Sequence, residues 1–125
     1  MVDKVIFLDI DGPMIPGTKY LFNKFCSFEQ QFDETCVAVL HKILEMSNAK
    51  LVFNTSHNTL WELDEHRAKK FNTPGLKQRM IDAGFEKYFH EYPQTIYPNV
   101  KGNDRRLKAI EAWLADHGTE QMLWV

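Results

Sequence analysis

The chain has 125 residues, 44% of them apolar and 26% charged, with a formal net charge of −2. That length suits one domain with a real hydrophobic core, and that charge balance excludes a strong general pull toward nucleic acid or anionic membrane. No run approaches the ~20 apolar residues of a membrane helix, no apolar stretch follows a basic start as in a signal peptide, and two cysteines, Cys26 and Cys36, are too few for a disulfide framework.

A reducing, cytoplasmic setting is therefore expected. Lys4 to Asp9 reads as a strand buried on both faces. Asp9 and Asp11 close that apolar run, and alternation places them on one side if the strand continues. Gly12 lets the chain turn sharply after them. Two adjacent carboxylates repel each other, so the pair needs a cation or a shared proton. Taken alone, aspartate and glycine at a strand end also suit a plain turn.

Pro13, Pro16 and Gly17 break regular structure, so Gly12 to Gln31 reads as a flap-like excursion. Its aromatics, Tyr20, Phe22, Phe25 and Phe28, argue for packing rather than free exposure. Asp33 opens a helix with Val37, Leu40, Ile43 and Leu44 on one face, and Asn48 stops it. Lys50 to Asn54 is a second buried strand running directly into Thr55-Ser56. A helix is predicted over Thr59 to Lys70. Another follows, with Thr73-Pro74 at its cap and first position and Gly84 at its end. Thr95 to Tyr97 is predicted as a short strand. Asn103 or Asp104 opens the last helix, with Leu107, Ile110, Trp113 and Leu114 inward and Gly118 closing it. Gln121 to Val125 is predicted as a final buried strand, and Trp113 and Trp124 as core residues.

Strands alternating with helices predict an α/β fold: a small Rossmann-like three-layer sandwich with a mostly parallel sheet and no large cap domain. Residues 1–125 are expected to form a single domain. Ligands in such folds bind beyond the carboxyl ends of the strands. Asp9, Asp11, Thr55 and Ser56 all stand at such ends, so the fold gathers them at one mouth.

The order Asp9-x-Asp11-Gly12, then Thr55-Ser56 after a buried strand, then Lys101 ahead of a helix, resembles the haloacid dehalogenase-like hydrolase superfamily. More narrowly, the chain is similar to its small, capless members associated with polynucleotide or RNA-repair phosphatase domains. The resemblance implies a Mg²⁺-dependent phosphatase working through an aspartyl-phosphate. It makes Asp9 the nucleophile and Asp11 the general acid and base. Mg²⁺ would sit on Asp9 and on the backbone carbonyl of Asp11. Thr55 would bind a phosphoryl oxygen, and Lys101 would neutralise the charge on Asp9 and the transferring group. Arg105 or Arg106 are alternatives for Lys101. Gly12, Ser56 and Arg105 are the expected substrate contacts. The acidic residue at Asp11 favours phosphate-ester chemistry, because an alkoxide leaving group benefits from a proton donor. Cys26 and Cys36 lack metal-ligand spacing, so no zinc is assigned.

The resemblance also implies a fourth motif, paired acids just after a strand. Here the predicted strand Met122 to Val125 has no acid after it, and Asp116 and Glu120 precede it. The expectation is a polypeptide cut short after its last strand, a ligand supplied by a partner or tail, or an incomplete metal site. The competing class is thus a non-catalytic binding or regulatory module. For the enzyme, an open site suits a bulky phosphorylated substrate such as a nucleic-acid end, with a small molecule as the other option. The basic run Lys101 to Lys108 offers a place for a phosphate backbone, and equally suits a solvated helix start.

Overall fold

The structure, a computed structural model, describes residues 3–17, 32–55, 58, 61–71, 74–96 and 104–125. Strand β1 spans Lys4–Leu8 and helix α1 Glu34–Ser47. Strand β2 is Lys50–Phe53, followed by helices α2, Glu65–Phe71, and α3, Leu76–Asp82. A 3₁₀ turn at Glu86–Tyr88 leads into β3, Phe89–Gln94. Helix α4 is Arg105–His117 and strand β4 is Leu123–Trp124. The sheet order is β3-β2-β1-β4, and all three pairings are parallel. This is the expected α/β sandwich, with helices on both faces.

Alternation along the strands explains the two layers. Leu8, Leu51 and Phe53 point into one core, where Leu40 and Leu44 of α1 and Leu76 and Met80 of α3 meet them. Val5 and Val52 point the other way, onto Trp113 of α4. Burial of both faces is why β1 and β2 are continuous apolar runs. Helix α1 starts where Asp33 caps it, its carboxylate accepting from the Cys36 N–H at 3.0 Å. It ends at Asn48, held left-handed at φ 56°.

Several expected elements are shifted. The third strand is Phe89–Gln94, upstream of the predicted Thr95 to Tyr97. It is an edge strand, so it tolerates Pro93 and mixed polarity. Tyr97 lies outside the described residues. Helix α2 begins at Glu65, not near Thr59, because Asp64 caps it by accepting from the Arg67 N–H at 2.7 Å. Helix α3 begins at Leu76, after Gly75, rather than at Pro74. The last strand is not buried: it is the other edge of the sheet, with Leu123 59% and Trp124 46% exposed. Trp124 instead rests on the edge of Phe7, ring centroids 5.7 Å apart. Leu107 and Ile43 are also turned toward solvent, while Trp113 is in the core as expected. Among the described residues, no helix is long and apolar enough to cross a membrane.

Candidate active site

Strand β1 stops at Leu8, so Asp9 is the first residue past the sheet. One Asp9 oxygen, Oδ1, accepts the backbone N–H of Ile10 at 2.8 Å. The other, Oδ2, meets Nη1 of Arg106 at 2.5 Å. Arg106 stands in the first turn of α4, which places a fixed positive charge on the carboxylate. A charge-assisted pair of this kind is stronger than a neutral hydrogen bond.

The chain then closes a tight turn. The N–H groups of Met14 and Ile15 donate to the Ile10 carbonyl, and the Gly12 N–H donates to the Ile15 carbonyl. Gly12 takes φ 102°, a conformation that suits glycine alone. Ile10, Met14 and Ile15 are all buried in the core shared with α1 and α3. These anchors hold the exposed Asp11 at the tip of the turn.

Strand β1 ends at Leu8, so the alternation expected to carry through Asp9 and Asp11 does not extend to them. Asp9 turns to α4 on one face of the sheet. Asp11 acts electrostatically on Arg79 of α3, which packs on the opposite face. Arg79 is only 9% exposed, and its guanidinium lies 5.3 Å from the ring centre of Phe32. Burial pulls the Arg79 pKa below its ordinary value, and the Asp11 charge opposes that pull. Sequence spacing gave no hint of Arg79, since it stands mid-helix and far from Asp11 along the chain.

Thr55 arrives by way of β2. Leu8 pairs with Phe53, and the Asn54 N–H donates to the Leu8 carbonyl at 2.9 Å. That register brings Asn54-Thr55 level with the residues that follow β1. Thr55 is 1% exposed. Arg105 is exposed at the start of α4, beside Arg106. Ser56 and Lys101, expected at the same mouth, lie outside the described residues. Arg106, one of the cationic candidates, pairs with Asp9.

At the other end of the sheet, the Leu123 N–H donates to the Asp3 carbonyl, and Glu120 lines a hollow with Asp3. Glu120 therefore stands at the amino end of the strands, away from Asp9. Among the described residues, no three His, Cys, Asp or Glu side chains group as a metal site. Cys36 is a free thiol whose pKa is raised by burial, then by its hydrogen bond to Asp33 and the Asp33 charge. It is a poor nucleophile for that reason.

A parallel sheet that delivers two aspartates, a buried threonine and an arginine to one mouth defines a haloacid dehalogenase-like domain. The chain belongs to the family described as the HAD domain in Swiss Army Knife RNA repair proteins, which matches residues 5–125. Neither a curated protein nor a solved structure matches the chain.

Proposed function

We propose that the chain is a Mg²⁺-dependent phosphomonoesterase that works through an aspartyl-phosphate on Asp9. The supporting observation is the Asp9 carboxylate at the strand mouth, paired with Arg106 and level with the buried Thr55. An Asp9 oxygen attacks phosphorus while the ester P–O bond breaks. Asp11 gives its proton to the departing alkoxide. A water then loses a proton to Asp11 and attacks the same phosphorus, which frees Asp9 and inorganic phosphate. Thr55 holds a phosphoryl oxygen, aided by the backbone of Ser56 and by Gly12, where no side chain blocks close approach. Arg106, together with Arg105 or Lys101, offsets the negative charge of the transferring group.

The donor chemistry suits Mg²⁺, a hard cation often held by one or two carboxylates with several waters. Asp9, through its side chain, and Asp11, through its backbone carbonyl, would hold it. When bound, it lessens the repulsion between the carboxylate nucleophile and an anionic substrate.

For substrate we propose the phosphorylated end of a nucleic acid. The family's description names RNA repair proteins. Arg105, exposed at the start of α4, puts positive charge near the mouth for a phosphate backbone, whereas Lys108 is paired with Asp104 at 3.2 Å.

Purified protein with Mg²⁺ should release phosphate from an aryl phosphate and from a 3′- or 5′-phosphorylated oligoribonucleotide, and Asp9→Asn should abolish both. A preference for mononucleotides over oligonucleotides would count against the substrate, and undiminished release by Asp9→Asn against the mechanism.

A further inference from the structure

Helix α4 opens without a side-chain cap: Asp104 stands at the N-cap and makes no capping hydrogen bond. Its first turn nevertheless has to be fixed, because it is the turn that sets Arg106 on Asp9. The tie comes from the end of β2. Nδ2 of Asn54 donates to the backbone carbonyl of Arg106 at 3.3 Å. Oδ1 of the same amide accepts from the Thr95 hydroxyl at 2.7 Å. Asn54 is 5% exposed and Thr95 3%.

Thr95 is fixed in turn. Its N–H donates to the Phe53 carbonyl at 3.0 Å, just past the end of β3. The Asn58 amide donates to both the Phe53 and Thr95 carbonyls, at 2.8 and 3.0 Å. The Asn54 backbone N–H is committed to Leu8, the residue before Asp9. Through its backbone N–H and its side-chain amide, Asn54 therefore ties the end of β1 to the end of β3 and the start of α4. Only a side chain with both a donor and an acceptor can serve Arg106 and Thr95 together. Asparagine is also a poor choice for a buried strand end on packing grounds.

We infer that Asn54 is a positioning residue that sets Arg106 on Asp9 by holding the first turn of α4. Its side-chain amide is engaged by Arg106 and Thr95, so it acts through Arg106. The inference rests on Asp9 as the reactive carboxylate for its kinetic readout, and on the observed Asp9–Arg106 pair for its structural one. A small misplacement of a catalytic charge costs rate steeply, up to about 10²-fold for ~1 Å.

The test is a double-mutant cycle on kcat/KM for an aryl phosphate, with Asn54→Leu, Arg106→Ala and both together. Asn54→Leu should lower kcat/KM by about tenfold or more in the native background and cost nothing further once Arg106 is alanine. An equal loss in both backgrounds would make Asn54 merely structural and overturn the inference. Thr95→Val, nearly isosteric, should repeat the pattern to a smaller degree and decides the matter if Asn54→Leu does not fold. If wild type releases no phosphate, the proposed activity fails. The inference is then judged by NMR of the Arg106 guanidinium Nη–H groups, which carry the contact to Asp9. Slow solvent exchange in wild type that becomes fast in Asn54→Leu or Thr95→Val supports it, and unchanged exchange overturns it.

Discussion

Arg106 and Asp9 meet across the mouth of the sheet, guanidinium nitrogen to carboxylate oxygen, at 2.5 Å. The pair joins the end of β1 to the start of α4. Arg106 remains 59% exposed and the Asp9 side chain 20% exposed, so both face the solvent from which a substrate arrives. At such exposure the pair adds little stability, and the proposed mechanism gives it instead the electrostatic preparation of the Asp9 carboxylate.

Arg106→Ala should lower kcat/KM by about 10²- to 10³-fold, the size of losing one fixed charge or donor at a transferring group. Arg106→Lys should retain part of the rate, because it keeps the charge and loses the planar fork. Phosphate release from an aryl phosphate measures both. A loss at Lys101→Ala greater than at Arg106→Ala would give the role to Lys101.

Thr55→Val removes one hydroxyl from a site that is 1% exposed and keeps nearly the same shape. The fold should survive, as read by circular dichroism. The rate should fall by about 10²-fold if the hydroxyl holds a phosphoryl oxygen. An unchanged rate with a lowered melting temperature would leave Thr55 with capping alone.

Phe85 is fully buried and stacks on His41, ring centroids 4.0 Å apart. The His41 Nε2–H donates to the Ala83 carbonyl at 2.7 Å, which fixes the imidazole under the ring. Phe85→Ala should cost about 3–5 kcal/mol by chemical denaturation, the usual range for a large aromatic removed from a core. A loss below about 1 kcal/mol would mean that the site collapses freely.

His90 gives a pH test. Its Nδ1 accepts the Tyr92 N–H at 3.0 Å, and its ring stands 4.9 Å from Trp113. Burial lowers its pKa first, and His117 and Lys50 lower it further, while Glu91 and Asp3 oppose them. With the folded pKa depressed, the unfolded chain binds the proton first as pH falls. The His90 contribution is therefore complete above the ordinary histidine pKa of about 6.5 and is lost as pH drops below it. Wild type should lose more stability than His90→Gln between about pH 7.5 and pH 5. Parallel pH profiles of the two proteins would contradict this.

The parts of the fold that were legible in the sequence are those buried on both sides. β1 and β2 are apolar runs bounded by polar residues, and the carboxylates and threonine after them mark the mouth. Edge elements were harder to read. Phe89–Gln94 mixes histidine, glutamate, tyrosine and proline, so no period of two stands out. Gln121 to Val125 looked buried because it is apolar, yet its neighbour is β1 on one side only. Asp64 was a readable cap for α2, since an aspartate precedes the helix and binds its third N–H. The end of β1 at Leu8 and the turn at Gly12 were not legible, so alternation along a strand was a poor guide to how Asp9 and Asp11 are set. Arg79, Asn54 and Thr95 reach the site through contacts between distant segments, which spacing along the chain does not encode.

In the proposed mechanism the phosphoryl group passes through Asp9. Its most direct test is mass spectrometry of the peptide containing Asp9 after acid quenching during turnover of a phosphorylated oligoribonucleotide in Mg²⁺. Wild type should carry one phosphoryl group on Asp9 and Asp9→Asn none, and Asp11→Asn should retain it longer, because the base for hydrolysis is missing. Phosphate release with no label on the Asp9 peptide, or release that persists in Asp9→Asn, would contradict it.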